Sequence, residues 1–475
     1  MILVGRENER SMLLNAYSSF KPEFAVVYGR RRVGKTYLVD ATFDGKYAFR
    51  HSALPPATDV GRSEMSPLQR QLTHFYYSLL SFGLKPTKKP KNWAEAFYLL
   101  ETLLSKKENE RLVIFLDELP WFDTPKSDFV SHFVGFWNNW ACFHNVLLIV
   151  SGSSISWITN KIFLDHGGLY GRPTLRIGLL PFTLKETERF LIQKGVVLSR
   201  YDIALAYIYF GGIPYYLDIL QPGLSLAQSI DQAFFAENAP LRNEFDNLFK
   251  ASFGRPEAIR DIVLALNTRR DGLTRDEILK QIGKEDGGTF SENIKSLEQA
   301  NFVSSYKRLG EADKRYRLID AFSKFALLFQ EGLETHDEHY FSNNSNSGSL
   351  NALKGYGFEN LCFSHVPQIK FALGISGVAC SAYSYSLKKD GAQIDMVLQR
   401  KDNIVNLCEM KFTTEPYRLS KEDEESTHQK VSAIEKLIPD SSAVHPVLVT
   451  TYPVGSSRYQ SLFVKIITLD DLFAI

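Results

Sequence analysis

Three short, unbroken apolar runs mark the first third of the chain: Phe24 to Tyr28, Leu112 to Leu116 and Val146 to Val150. Such runs suit strands buried on both faces of a parallel sheet, because a strand without a solvent side has nothing to alternate with. Helix-length stretches, Ser63 to Phe82 and Trp93 to Lys107, lie between them. Strands that alternate with helices predict a doubly wound α/β domain over residues 1–182. Residues 183–252 read as mostly helical, broken at Gly211-Gly212-Ile213-Pro214, and are expected to form a helical lid packed on that domain. The pattern then changes. Thr274 with Glu277, and Thr289 with Glu292, have the spacing of the capping box that starts a helix. Phe302 to Lys307 and Arg315 to Leu318 flank Gly310 like a hairpin, so residues 253–335 predict a winged helix-turn-helix with Thr289 to Ala300 as its recognition helix. Ser342 to Asn351 is Asn, Ser and Gly almost throughout, the composition of a flexible linker, here residues 336–352. Residues 353–475 are then expected to form a separate C-terminal α/β domain.

Composition narrows the class. A chain of 475 residues is too long for one ordinary core. Its 44% hydrophobic and 23% charged content is that of a folded globular protein. The 55 Lys and Arg nearly cancel the 54 Asp and Glu, so any nucleic-acid contact must rest on local charge. Cys142, Cys362, Cys380 and Cys408 form no CxxC pair and belong to no histidine cluster at ligand spacing, which argues against a zinc site and a disulfide framework. No basic-then-apolar signal segment opens the sequence, and the apolar runs are far shorter than a membrane span. A soluble, cytoplasmic protein with no membrane partner is expected.

Gly29-Arg30-Arg31-Arg32-Val33-Gly34-Lys35-Thr36 fits G-x-x-x-x-G-K-[ST] between a strand and a helix-compatible stretch. In such a loop the backbone N–H groups of residues 29–36 wrap phosphates, the helix start adds positive potential, Lys35 reaches the β and γ oxygens, and Thr36 ligands Mg²⁺. Lys35 is expected on a solvent-facing loop. Asp117-Glu118 ends the next apolar run, where Asp117 can hold the Mg²⁺ shell and Glu118 can polarise water. ATP and Mg²⁺ are the expected ligands.

With these residues in view, the chain resembles the prokaryotic AAA+/STAND P-loop ATPases of archaeal kind, whose members often carry a restriction-nuclease-like C-terminal domain. The resemblance rests on Val4-Gly5-Arg6-Glu7, the phosphate loop, Asp117-Glu118, Ser151-Gly152-Ser153, Gly171-Arg172 and Gly212-Ile213-Pro214. It implies that Gly5 and Arg6 lie near adenine, that Ser151 or Ser153 takes the sensor position beside the γ-phosphate, and that the segment ending at Pro214 contacts the base. Arg172 would be a trans-acting arginine finger, which implies assembly of several copies.

Toward the C-terminus, Ala392-Gln393-Ile394-Asp395 and Leu407-Cys408-Glu409-Met410-Lys411 fit two strands joined through the polar turn Lys401-Asp402-Asn403. A hairpin centred on Asp402 sets Asp395 directly across from Glu409, and alternation puts Lys411 on the same face. Opposed carboxylates destabilise a sheet unless something neutralises them, and a divalent metal would do so while activating water for phosphodiester cleavage. The arrangement resembles the PD-(D/E)XK nuclease motif. That resemblance implies a restriction-endonuclease-like fold in which Asp395 and Glu409 ligand metal, Lys411 positions the water and Glu359 supports the metal shell. Two functions are then expected in competition: an ATPase that controls a DNA-acting nuclease, or a signalling ATPase whose nuclease-like domain is an inactive interaction module.

Overall fold

In the computed structural model the residues described are 3–56, 65–107, 110–164, 168–253, 256–307, 311–329, 337–386 and 393–474. The first unit comprises residues 1–180 and 248–256. Its strands are β1 (Glu23–Gly29), β2 (Tyr47–Ser52), β3 (Leu112–Asp117), β4 (Val146–Gly152) and β5 (Leu175–Leu179), all parallel in the order β2-β3-β4-β1-β5. Every residue of β3 and β4 is buried. Alternation explains the unbroken apolar runs: Phe24, Val26, Ile114, Leu116, Leu148 and Val150 feed one core, and Ala25, Val27, Val113, Phe115, Leu147 and Ile149 feed another on the opposite face. Helices α1 (Glu7–Ser18) and α2 (Lys35–Phe43) cover the second face, while α3 (Pro67–Ser81), α4 (Trp93–Leu104) and α5 (Phe129–Asn139) cover the first with Phe75, Trp93, Phe97, Phe129 and Phe133. The stretch expected as a helix from Ser63 begins at Pro67, after a capping box on Ser66; Ser63 itself lies outside the described residues.

The second unit comprises residues 181–247 and 257–475. It opens with α6 (Leu184–Gln193) and α7 (Arg200–Phe210), which ends at Gly211 in the left-handed conformation. Beyond several short helices lie α8 (Pro256–Asn267), β6 (Leu273–Thr274), α9 (Arg275–Ile282), α10 (Gly288–Gln299), β7 (Val303–Lys307) and β8 (Lys314–Leu318), the strands forming an antiparallel sheet β6-β8-β7. Thr274 and Glu277 make the expected reciprocal cap. Thr289 and Glu292 do not: the helix starts at Gly288 with Gly287 at the N-cap position and no side-chain cap, so Thr289 lies inside its first turn. The strands expected to flank Gly310 pair as a hairpin, with Gly310 outside the described residues.

The polar stretch Ser342–Asn351 departs from the expected linker. After α11 (Ala321–Leu328) it joins α12 (Tyr340–Asn344) to α13 (Gly348–Ser364). Ser347 caps α13, its hydroxyl accepting from Leu350 N at 3.3 Å, and Asp231, from earlier in the chain, accepts from the Ser342 hydroxyl and from Phe341 N at 2.9 Å. Ser and Asn favour such local bonds, so composition alone cannot tell a cap from a tether. The segment expected as a lid and the C-terminal segment are accordingly one body. A Cβ at Gly357 in α13 would overlap Ile208 in α7, Tyr201 stacks on Phe412 at 5.0 Å, and Arg200 pairs with Asp470 at 2.8 Å.

The last sheet contains β9 (Cys380–Ser386), β10 (Gln393–Arg400), β11 (Ile404–Lys411), β12 (Ala443–Thr450) and β13 (Lys465–Thr468), in that order. The first three strands are antiparallel, and β11, β12 and β13 run parallel; α14 (Lys421–Glu435) makes the crossover that parallel β11 and β12 require. All four cysteines are free. Among the described residues no helix is long and apolar enough to cross a membrane.

His365 joins the two parts of this body. Its Nε2 accepts the Leu184 N–H at 2.9 Å while Nδ1 lies 2.8 Å from the Leu361 carbonyl, an arrangement that needs a neutral ring. Burial lowers its pKa from 6.5 to about 4. The folded state refuses a proton that the unfolded chain accepts, so this contribution is complete above pH 6.5 and is lost as pH falls toward 4, by at most about 1.4 kcal/mol per pH unit. His365→Gln is expected to flatten the fall of melting temperature over that window. Equal slopes in variant and wild type, read by calorimetry, would remove this role.

Candidate functional site

Parallel strands bring their carboxyl ends to one edge of a sheet, the usual place for ligands in such folds. The phosphate loop leaves β1 there. Gly29 approaches the end of β5 so closely that a Cβ would stand 2.5 Å from the Leu179 carbonyl oxygen. Arg32 and Gly34 take positive φ, 70° and 94°, and Gly34 caps α2. Arg30 is buried, the Arg31 guanidinium lies 5.7 Å over the Trp121 ring, and Val33 is buried with the core beneath the loop.

Lys35 is not solvent-facing. It is 5% exposed, and Nζ donates to the carbonyls of Gly29 and Arg30, both at 3.1 Å, with Glu118 Oε1 at 3.7 Å. The sequence places it at the first turn of α2, and that turn folds inward against β1. Burial lowers the ammonium pKa, against the pull of Glu118 and Asp117. Thr36 Oγ1 donates to Asp117 at 3.0 and 3.1 Å. Asp117 also accepts from Ser151, and from Ser52 at 3.2 Å. Burial raises its pKa, opposed by the Ser151 hydrogen bond and then by those from Thr36 and Ser52.

Glu118 takes left-handed backbone angles, φ 55° and ψ 52°, which turn its carboxylate back across the sheet edge. Its Oε2 accepts from Ser153 N at 2.9 Å and from the Ser153 hydroxyl at 2.8 Å, while Glu118 N donates to Ser151 Oγ at 3.0 Å. Ser151 and Ser153 reach both acids because β4 runs between β1 and β3. Seven side chains and backbone groups thus meet at one edge: the loop, Lys35, Thr36, Asp117, Glu118, Ser151 and Ser153. The hydroxyl and carboxylate oxygens of Thr36 and Asp117 are the hard donor set that suits Mg²⁺. Ser52 reaches Asp117 from the end of β2, a place marked in the sequence only by the strand that it closes.

The remaining expected residues fall elsewhere. Gly5 and Arg6 have positive φ and start α1, with the Arg6 guanidinium donating to the Leu180 carbonyl beyond β5. Arg172 is exposed and precedes β5, at the opposite sheet edge from its own phosphate loop. Pro214 begins the short helix Pro214–Leu217 in the second unit.

In the C-terminal sheet, Met396 pairs with Cys408 and Val397 with Leu407, the register in which Asp395 stands across from Glu409. Asp395 Oδ2 accepts from Met410 N at 2.9 Å. Glu409 is held by two ammonium groups, Lys411 at 3.0 Å and Lys430 of α14 at 2.5 Å. The repulsion that a metal was expected to relieve is thus met in part by lysines. Lys430 had no sequence signal, since it is one of several charges on a polar helix. Burial raises the Asp395 pKa, with Glu409 and Glu359 adding to it. Burial opposes the Lys411 charge, and Glu409 more than restores it, so its pKa is raised. Glu359, in α13, is felt by both acids but faces Arg317, Arg270 and Lys324. Among the described residues no group of three or more His, Cys, Asp and Glu side chains is gathered closely enough to hold a metal.

Residues 3–220 match the family model of an ATPase domain predominantly from Archaea. This part of the chain is a P-loop ATPase domain of the archaeal kind, as its parallel sheet and converging edge residues describe. Protein MJECL04 of Methanocaldococcus jannaschii is 25% identical over 367 residues, 76% of either chain. Among solved structures, a Walker-type ATPase of Pyrococcus abyssi is 16% identical, covering 68% of this chain and 96% of its own with a TM-score of 0.49. The ORC2 protein of Aeropyrum pernix, solved as ADPNP-ADP complexes, is 14% identical over 72% of this chain and 96% of its own, with a TM-score of 0.46.

Proposed function

We propose that this protein is a cytoplasmic ATPase of the AAA+/STAND type whose nucleotide state controls a metal-dependent, DNA-cleaving site in its C-terminal sheet. The observation that carries the first half is the meeting of Lys35, Thr36, Asp117 and Glu118 at one sheet edge. Thr36 and Asp117 would hold Mg²⁺, which when bound would screen phosphate charge. Lys35 exchanges Glu118 for the β and γ oxygens of ATP, and this frees Glu118 Oε1 to polarise the attacking water while Ser153 keeps Oε2 in place. Ser151 orients Asp117, and Gly5 and Arg6 contribute to the adenine side. Arg172, exposed and remote from its own loop, serves a neighbouring copy.

For the second half, Asp395, Glu409 and Lys411 share one face of an antiparallel pair, the arrangement of a restriction-endonuclease-like site. Residues 256–318 act as a winged helix beside it. The Gly212-Ile213-Pro214 turn follows α7 directly, and α7 packs on the helix that carries Glu359, which supports a link from lid to acid site. One observation favours the rival reading of an inactive interaction module: Lys411 and Lys430 already neutralise Glu409.

Incubating plasmid and linear DNA with Mg²⁺ or Mn²⁺, with and without ATP, separates the two readings. Metal-dependent cleavage that Asp395→Ala abolishes, and that loses its response to ATP in Lys35→Ala, supports control of a nuclease. ATP hydrolysis without cleavage under any of these conditions supports the interaction module.

A further inference from the structure

The acid site has a cation that neither the motif nor the recognition helix supplies. Arg270 lies in the turn between α8 and β6, and that turn is clamped from both sides. Tyr306 donates its hydroxyl to the Asp271 carbonyl, and Arg315 Nη1 donates to the Gly272 carbonyl at 3.1 Å. Gly272 is at φ 70°, with the Tyr316 carbonyl where a Cβ would go. The turn is therefore held in one shape by the buried Arg315 and the half-buried Tyr306 on the neighbouring strands. It presents the Arg270 guanidinium over the ring of Tyr356, one helical turn before Glu359 on the same face of α13.

Three cations surround Glu359, and they differ in what they can meet. Arg317 is 5% exposed, donates to Asn360 and lies 4.6 Å over the Phe363 ring, so it is committed to the core. Lys324 is half-buried, and its desolvation, with the neighbouring Arg317, lowers its pKa to about 7. Arg270 is exposed. Its charge is felt by Glu359 and Asp395, yet among the described residues it makes no hydrogen bond or ion pair. A guanidinium carries five N–H donors in a fork that matches a phosphate edge. Stacked on an aromatic ring, held by a rigid turn and set beside carboxylates that it does not bond, it is preorganised for an oxyanion from outside.

We propose that Arg270 binds a backbone phosphate of duplex DNA at the mouth of the C-terminal acid site, so that the substrate site is built jointly from residues 256–318 and the C-terminal sheet. This deepens the nuclease reading and rests on it. The cation holds the strand, and Asp395, Glu409 and Lys411 act on it.

The test is binding of a fluorescein-labelled DNA duplex to the full chain by anisotropy, with Ca²⁺ in place of Mg²⁺, over a range of salt. Arg270→Met keeps the apolar contact with Tyr356 and removes the donors. It is expected to weaken binding about 10- to 100-fold and to lower the salt dependence by about one phosphate contact, with melting temperature unchanged. Arg270→Lys should recover part of the affinity, and Arg269→Ala, whose side chain pairs with Glu277 at 3.0 Å, should bind like wild type. Wild-type affinity and salt slope in Arg270→Met overturn the proposal. Cleavage that still depends on Asp395 would then leave the nuclease reading standing. A wild-type chain that neither binds nor cuts the duplex removes both.

Discussion

Glu118→Gln is expected to bind ATP and Mg²⁺ as wild type does and to hydrolyse ATP about 10²- to 10⁴-fold more slowly, the usual contribution of a positioned general base. The amide keeps the size of the side chain and an oxygen for the Ser153 N–H and hydroxyl, so the local geometry survives. What is lost is the charge at Oε1, the atom 3.7 Å from Lys35 Nζ. Removing it also frees Lys35 from an ion partner, so nucleotide affinity should hold or rise. The contrast with Lys35→Ala is the control, because that variant loses the one ammonium of the loop and should fail at binding. Steady-state hydrolysis and equilibrium nucleotide binding, measured on both variants, separate the roles. Loss of binding in Glu118→Gln would show that Glu118 serves the nucleotide and not the water.

The second large effect is expected at Asp395. Asp395→Asn should abolish DNA cleavage, with a loss of at least about 100-fold, because an amide is a poor ligand for a divalent cation that must activate water. The same change should leave the fold intact or slightly more stable. The Asn side-chain oxygen can still accept from Met410 N, a bond of 2.9 Å in the wild type. The charge it removes is one that burial, Glu409 and Glu359 all disfavour. Like-charge relief of this kind is worth roughly 0.2–1 kcal/mol. The gain should be modest because Lys411 and Lys430 already compensate Glu409. A metal-titrated melt is the second readout: Mn²⁺ should raise the melting temperature of wild type and not of Asp395→Asn. If metal shifts both equally, the paired-carboxylate site is wrong and the interaction module is the better account.

The phosphate loop, the acid pair after the second apolar run and the C-terminal hairpin were all legible in sequence, since each is a local pattern. A strand buried on both faces must be apolar throughout, a phosphate loop must have small residues where its backbone turns, and a two-stranded register follows from where the turn sits. Local patterns cannot report what the chain brings from a distance. That β4 runs between β1 and β3, and so hands Ser151 and Ser153 to the acids of the next strand, is a matter of topology. Lys35 reads as a loop cation and is buried because α2 turns inward on the sheet. The Asn- and Ser-rich stretch reads as a tether but forms the end of α12 and supplies the Ser347 cap of α13, since a hydroxyl satisfies a helix end as readily as it solvates a free chain. Lys430 and Arg270 are single charges among many in the sequence. Only the tertiary structure selects them, because electrostatic partnership depends on distance in space, and α14 and the turn before β6 are brought to the acids by packing that no local spacing records.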